Sequence, residues 1–262
     1  MDGLDAFWLF LLVGVAAQLV DGALGMAYGV ISTSVLLAFG VPPAAASAAV
    51  HAAEVFTTGA SAASHVAHKN VSWRIFVPLA VAGVAGGIVG AYLLTGIPGE
   101  TIRPFIVAYL AAVGLYILYR AWRNARPRHH VPPALTAPLG LFGGFFDAVG
   151  GGGWGSTVTS GVMGAGLSPR CAVGTSITAE FLVTSAISAA FLWALLTGRW
   201  ETEGGMRQYL TATAGLIAGG LLAAPFSGWI AKRAPTRALT WAVGAVILLL
   251  AGYQGGRIAG WW

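Results

Sequence analysis

Four acidic residues lie inside long apolar stretches of this chain, where a charged side chain is costly. They are Asp21, Glu54, Asp147 and Glu180, and one offset of 126 residues carries the first two onto the last two. A carboxylate at the middle of a bilayer costs at least a few kcal/mol, so such residues face a protein interior and often mark a pathway. Desolvation favours the neutral form of a buried carboxyl group, which makes proton coupling one role for Glu54 and Glu180.

Each aspartate opens a nine-residue stretch rich in glycine, at 21–29 and at 147–155. Backbone that leaves helical geometry within a membrane must be buried in protein or line a water-filled cavity. A short helix that begins after such a break directs free N–H groups and a partial positive charge into the cavity, which suits a small anion. The breaks and the hydroxyl groups that follow them predict a substrate site formed by Asp21, Gly25, Tyr28, Gly29, Ser32, Thr33, Asp147, Gly151, Gly152, Gly153, Trp154, Gly155 and Thr157.

These polar residues also have a structural interpretation. Asp21 and Asp147 would cap the start of the broken helix that follows each of them, and the glycines would serve close helix packing. His51 lies three residues before Glu54, on the same helical face, and is a further candidate for the site. The second half has Ile177 at the matching position, and a lone histidine in a helix is more often a structural polar group.

The similarity between the two halves extends well beyond the acids. From residue 21 to residue 63, 13 of 43 positions are identical to the residue 126 positions later. The matches include Pro43 with Pro169 and Thr58 with Thr184. A fixed offset of this kind indicates a duplicated half, and duplicated halves are the usual plan of secondary transporters.

The composition of the chain is that of a membrane protein. Of its 262 residues 57% are hydrophobic and 9% are charged, with a mean hydropathy of +0.77. A soluble domain carries about 25% charged residues, and apolar segments of roughly 20 residues are typical of membrane-spanning helices. The net charge of +5 comes from basic residues between apolar segments, so it reports orientation rather than binding to nucleic acid. The single cysteine, Cys171, excludes a disulfide framework or a cysteine-rich metal site, and we expect no cofactor.

These features predict an all-α polytopic membrane protein built from two inverted-topology repeats of about five helical segments each. The first repeat covers residues 1–121, a cytoplasmic linker covers 122–134, and the second repeat covers 135–262. The first two segments of each repeat are expected to be short and broken at the glycine-rich turns. Segments one and two, at about 7–20 and 26–39, would each reach about 21 Å, which is short for a full span.

The distribution of lysine and arginine predicts the orientation of the chain. Cytoplasmic loops carry an excess of these residues, which places the arginine-rich linker inside. If the two halves are inverted, the basic loops near Lys69 and Lys232 also lie inside, whereas a same-direction repeat would place one of them outside. Inverted halves with both termini external therefore fit best, in the cytoplasmic membrane of a prokaryote. The acidic N-terminus lacks the basic region of a secretory signal, so we expect the first apolar segment to remain in the mature protein.

Four stretches of the sequence carry a resemblance to a known family. They are residues 20–29, 40–54, 150–155 and 166–180, which contain the two breaks and the two turns with proline that precede each glutamate. Together they resemble the sulfite exporter TauE/SafE family, which is also grouped with the toluene-sulfonate uptake permeases. The resemblance covers nearly the whole chain and implies transport of small sulfur-containing anions, such as sulfite or organosulfonates. The run from Val173 to Ser176 is especially similar and adds Thr175 and Ser176 to the candidate site.

The favoured function is therefore a secondary transporter that holds a small anion between the two repeats, with Glu54 and Glu180 as coupling residues. A passive anion channel, and a metal or cation transporter that uses the buried acids, remain alternatives. An intramembrane hydrolase that pairs the two aspartates, or uses Ser156, is the weakest alternative, so we do not expect an enzyme. The direction of transport, the coupling ion and the oligomeric state, monomer or homodimer, stay open.

Overall fold

The computed structural model describes residues 3–24, 26–123, 135–164, 167–200, 206–233 and 236–261. Gly25 and residues 124–134, which form most of the expected linker, lie outside the described residues. In the part of the chain that the structure describes, helices are the only regular secondary structure. The prediction of an all-α polytopic fold is confirmed.

Five helices make up the first half. They are α1 (Gly3–Leu24), α2 (Tyr28–Ala38), α3 (Pro43–Ala67), α4 (Trp73–Gly96) and α5 (Gly99–Arg123). A proline near its first turn starts α3, where the missing N–H group of proline would have no helical partner in any case.

The second half repeats this order. Its helices are α6 (Thr136–Gly150), α7, α8 (Pro169–Leu196), α9 (Met206–Arg233) and α10 (Thr236–Ile258). The short α7 begins as a π-helical turn, Gly155–Thr159, and continues as an α-helix, Ser160–Gly164.

The lengths of the first helices differ from the prediction in one respect. α1 has 22 residues, about 33 Å, so it is longer than the short segment expected at 7–20. Asp21 and Gly22 continue the helix instead of breaking it, and the chain leaves helical geometry only after Leu24. α2 has 11 residues, about 16 Å, and α7 is of similar length, so neither is long enough to cross the roughly 30 Å hydrocarbon core alone.

Four helices are long and apolar enough to cross a membrane among the described residues: α4, α5, α8 and α10. Their outer faces carry large exposed apolar side chains such as Phe105, Trp193 and Leu249, each about 70% exposed. Such faces suit contact with lipid. α3 is different, because it is rich in alanine and carries buried Ser47, His51 and Glu54, as expected of a helix enclosed by other helices.

The two halves are interleaved, because each of the main helix pairs joins one helix of the first half to one of the second. α1 packs against α9, α4 against α6, α3 against α8, and α5 against α10. Glycines permit the closest approaches, since a Cβ atom at Gly86 or Gly144 would collide with the backbone of the facing helix. A Cβ atom at Gly14 would lie 2.7 Å from the carbonyl oxygen of Leu216 on α9. Small residues of this kind are typical of helix–helix contacts in membranes.

The helix boundaries repeat with the offset found in the sequence. α6 ends 126 residues after the end of α1, and α8 begins 126 residues after the start of α3. The inverted relation of the halves and the assignment of the linker to the cytoplasm stay predictions.

Candidate functional site

The glycine-rich breaks of the two halves meet at the centre of the molecule. The hydroxyl group of Thr33 on α2 donates to the carbonyl oxygen of Gly151 in the other break. A Cβ atom on Gly29 would lie 2.8 Å from Cα of Gly152, so the two backbones are in direct contact there. The same Cβ atom would lie 2.9 Å from Oε1 of Glu54, which places that carboxyl group beside the start of α2.

Each aspartate accepts backbone hydrogen bonds at the start of the short helix that follows it. Oδ1 of Asp21 accepts from the N–H groups of Ala27, at 2.8 Å, and Tyr28, at 3.3 Å. Oδ1 of Asp147 accepts from the N–H group of Trp154 at 3.0 Å. The capping interpretation of these two residues therefore describes the contacts present, and it fixes the direction in which α2 and α7 leave the breaks.

The aromatic residues at the matched positions tie the breaks to α8 and α9 by hydrogen bonds. The hydroxyl group of Tyr28 donates to the carbonyl oxygen of Leu216 on α9 at 3.0 Å. The indole N–H of Trp154 donates to the carbonyl oxygen of Ser176 on α8 at 3.2 Å. Both side chains are at least 97% buried, so each contributes packing as well as a hydrogen bond.

The second break depends on glycine at consecutive positions. Gly151, Gly152 and Gly153 have φ angles of 66°, 152° and 136°, a region that residues with a side chain rarely adopt. Tyr109 on α5 donates to the carbonyl oxygen of Gly152 at 2.9 Å, and its hydroxyl group lies where a Cβ atom of Gly153 would be. This packing leaves no room for a larger residue.

A cavity of about 30 Å³ lies between the two breaks, enough for about two water molecules. All four acidic residues identified from the sequence line it, together with part of each break and with residues of α1, α3 and α8. Among the lining residues that the structure describes, none is lysine or arginine. The principal contributors are Asp21, Tyr28, Gly29 and Glu54 from the first half, and Asp147, Gly153, Gly155 and Glu180 from the second.

The starts of α2 and α7 both face this cavity. The first backbone hydrogen bond of α2 runs from the N–H of Ile31 to the carbonyl oxygen of Ala27, and that of α7 runs from Thr157 to Gly153. Gly29 and Val30 precede the first bond, and Gly155 and Ser156 precede the second, and all four line the cavity. The first N–H groups of a helix lack intrahelical partners, so these positions combine hydrogen-bond donors with the positive end of the helix dipole.

His51 lies beside Asp147 just outside the cavity. Its Nε2 atom is 3.3 Å from Oδ2 of Asp147, and its Nδ1 atom is 2.8 Å from the carbonyl oxygen of Ser47. A carboxylate oxygen of Glu54 completes a buried group in which the three ligand atoms lie within 4.8 Å of one another. This is the set of side chains that could hold a metal ion.

Among the described residues, the other predicted site residues do not line the cavity but lie close to residues that do. Gly25 lies outside the described residues. Thr33, Gly151 and Gly152 join the two breaks, and the hydroxyl group of Thr157 donates back to the carbonyl oxygen of Gly153 at 2.6 Å. The remaining residues support the helices: Ser176 contacts Thr159 at 2.8 Å between hydroxyl oxygens, Thr175 accepts from the N–H of Ser72, and the hydroxyl oxygen of Ser32 is buried without a hydrogen-bond partner.

Some cavity residues were not among those predicted from the sequence. Gln18 lies one turn before Asp21, and a polar side chain in that apolar segment is a signal that could have identified it. Thr58 also lines the cavity, and its match with Thr184 in the repeat was a similar signal. Tyr109 supports the second break from α5 and has no comparable signal, because only the tertiary structure brings it there.

A second and larger cavity, of about 400 Å³, lies beyond the start of α3. Apolar residues such as Ile97 and Ile102 line it together with Trp200 and Arg199. The guanidinium group of Arg199 lies 3.6 Å from the ring centre of Tyr92, a cation–π contact that holds the charge at the edge of this cavity.

Comparison with known proteins agrees with this architecture. A family model for the sulfite exporter TauE/SafE matches residues 10–253. The chain belongs to the sulfite exporter TauE/SafE family. It is 41% identical over 248 residues to a protein of Bacillus subtilis (strain 168) named probable membrane transporter protein YtnM, covering 92% of this chain and 80% of that protein. A second relative, probable membrane transporter protein ORF9 of Sinorhizobium sp, is 28% identical over 156 residues, which are 58% of this chain and 59% of the relative.

Membership of the TauE/SafE family confirms the resemblance seen in the sequence. Together with the apolar helices, it identifies the chain as a multi-pass membrane transporter. No solved structure matches the chain.

Proposed function

We propose that this protein is a secondary transporter that carries a small sulfur-containing anion, such as sulfite or an organosulfonate, through the central cavity together with protons. The observation that carries this proposal is the composition of the cavity. It combines the helix starts at Gly29 and Gly155, which favour an anion, with four carboxyl groups, which repel one when they are ionised.

Protonation resolves that conflict. An anion can approach the free N–H groups only when the nearby carboxyl groups are neutral, because unscreened like charges in a low-dielectric interior repel strongly. Glu54 and Glu180 are suited to this role, since both line the cavity from the middle of long helices. Asp21 and Asp147 instead accept backbone hydrogen bonds at helix starts. Loading of the anion and loading of protons would then be linked, and both would move together.

The size of the cavity favours alternating access over an open channel. A space of about 30 Å³ between two short helices holds about two water molecules, which is too small for a continuous aqueous pore. The larger cavity beyond α3 is lined by apolar side chains such as Ile97 and Ile102 as well as by polar groups, including Arg199, which fits the apolar tail and anionic head of an organosulfonate. We propose that it is an outer vestibule through which the substrate reaches or leaves the centre.

Uptake into proteoliposomes tests the proposal. Sulfite and organosulfonate flux should exceed divalent-metal flux and should rise when a pH gradient is imposed. Glu54→Gln and Glu180→Gln should each lower the gradient-driven anion flux by about 10-fold or more, since they remove a proton that moves with the anion. The control is Glu100→Gln, because Glu100 is exposed in the first turn of α5. Anion flux that is unchanged in both cavity variants would remove the coupling role.

A metal or cation transporter remains the second candidate, on the specific observation that His51, Glu54 and Asp147 are grouped closely enough to bind a metal ion. In the same assay it predicts saturable flux of a divalent metal and no sulfonate flux.

A further inference from the structure

The hydrogen bonds around His51 define which ring nitrogen carries the proton. Nδ1 lies 2.8 Å from the carbonyl oxygen of Ser47, which can only accept, and 3.2 Å from the hydroxyl oxygen of the same residue. That hydroxyl group donates its own hydrogen to the carbonyl oxygen of Ala148 at 2.6 Å, so it too can only accept from the imidazole. Nδ1 therefore carries the hydrogen, and in the neutral ring Nε2 presents a lone pair.

That lone pair faces a carboxylate. Nε2 lies 3.3 Å from Oδ2 of Asp147, and both residues are at least 98% buried. Two acceptor atoms facing each other at this distance repel unless a positive species lies between them. Oε2 of Glu54 is also buried and has no hydrogen-bond partner among the described residues, and its carboxyl group belongs to the same cluster. With a neutral imidazole, the cluster thus presents three acceptor atoms to one another.

We propose that His51, Glu54 and Asp147 form a binding site for a divalent transition-metal ion of the Zn²⁺ or Co²⁺ type. One imidazole nitrogen with carboxylate oxygens suits such ions better than it suits Na⁺ or Mg²⁺, which prefer oxygen ligands alone. Ligand atoms about 2.1 Å from a tetrahedral Zn²⁺ ion lie about 3.4 Å apart, close to the observed separation of Nε2 from Oδ2. Glu54 would move toward the other two ligands on binding.

The groups that hydrogen-bond to the ligands are those that a metal site needs. A histidine ligand normally donates its second ring N–H to a carbonyl or carboxylate, as His51 does to Ser47. Asp147 is held by the N–H of Trp154 through its other oxygen. Three protein ligands leave a fourth position open, and because Glu54 and Asp147 also line the central cavity, that position would be accessible to an anion.

The site would occur once in the molecule, because the residues related to it by the repeat do not form the same set. Asp21 accepts the same kind of backbone hydrogen bonds as Asp147, but the residue 126 positions after His51 is Ile177. The repeat therefore supplies matched controls within the same chain. His51→Ile introduces the residue of the other half, and Asp21→Asn alters the aspartate that has no histidine partner.

Metal binding to purified, tag-free protein tests the proposal without any transport assay, so its failure and that of the proposed function are distinguishable. A parent variant with His65→Ala, His68→Ala, His129→Ala and His130→Ala leaves His51 as the only histidine. We expect it to bind one Zn²⁺ per chain by calorimetry, and X-ray absorption to show one imidazole in the zinc shell. Adding His51→Ile or Asp147→Asn should weaken binding at least about 10-fold, whereas adding Asp21→Asn should not.

Two results would overturn the metal site. One is a parent variant that binds no Zn²⁺, which would assign the position between His51 and Asp147 to a proton. The other is zinc bound without an imidazole ligand. The absorption measurement needs no substitution in the site, so it decides the question even if His51→Ile does not fold.

Discussion

At the scale of single residues, the two aspartates share one role, which is to accept backbone hydrogen bonds, and differ in their contact with histidine. Asp21 and Asp147 both accept backbone hydrogen bonds at a helix start, as the repeat in the sequence allows one to predict. Among the described residues, only Asp147 of the two contacts a histidine, and the sequence indicated this difference because Ile177 stands opposite His51 in the alignment of the halves. The contact itself could not be predicted, since it joins residues 96 positions apart on α3 and α6.

The glycines of the second break should tolerate substitution less well than a glycine in an open turn. Gly153→Ala should lower stability by about 1–3 kcal/mol more than Gly40→Ala does, measured by thermal unfolding in detergent. Both positions have positive φ angles, 136° and 85°, so both substitutions strain the backbone. At Gly153 the new Cβ atom meets the hydroxyl group of Tyr109, while at Gly40 no atom of the described residues lies within 4 Å. Equal losses at the two positions would show that the contact with Tyr109 is unimportant.

At the scale of helices, hydrophobicity was sufficient to predict most segments and insufficient to predict how they pair. α3 and α8 begin at Pro43 and Pro169, the prolines matched by the repeat in the sequence, because proline after a polar or glycine-rich turn marks a helix start strongly. The end of α1 was predicted too early, since the glycine at position 22 does not break the helix. The pairing of helices between the halves depends on glycines at which two backbones come close together, and the sequence of one segment does not show which helix it will meet.

The contact between α4 and α6 provides a test of those surfaces. Gly86→Val should lower stability by about 1–3 kcal/mol or prevent folding, because the new side chain falls on the backbone at Leu141 and forces the helices apart. Gly252→Val on α10 is the matched control, since a Cβ atom there has nothing within 4 Å. Thermal unfolding and the yield of monodisperse protein measure the effect. A Gly86 variant as stable as the Gly252 variant would contradict the close packing of these helices.

At the scale of the whole molecule, the central feature is that both halves contribute to one cavity. The repeat in the sequence predicted that the two breaks and the four acids would be related, and all four acids do line the cavity. The volume of the cavity could not be predicted, because it depends on side-chain packing between distant helices.

Orientation in the membrane is a further prediction at this scale. Reporter domains that are active only outside the cytoplasm should be active when fused to either terminus. The reason is the concentration of arginine in the central linker, which favours the cytoplasmic side. A reporter inserted in the linker serves as the opposite control and should be inactive. Termini on opposite sides, or both inside, would rule out the predicted topology.

Proton movement driven by a sulfonate gradient tests directly whether the anion and protons move together. Methanesulfonate stays anionic at neutral pH, so any proton that accompanies it must be carried by the protein. In proteoliposomes with a pH-sensitive dye inside, a methanesulfonate gradient should acidify the lumen as the anion enters, and Glu54→Gln with Glu180→Gln should abolish this acidification. Methanesulfonate entry through the unaltered protein without any change in internal pH would contradict proton coupling.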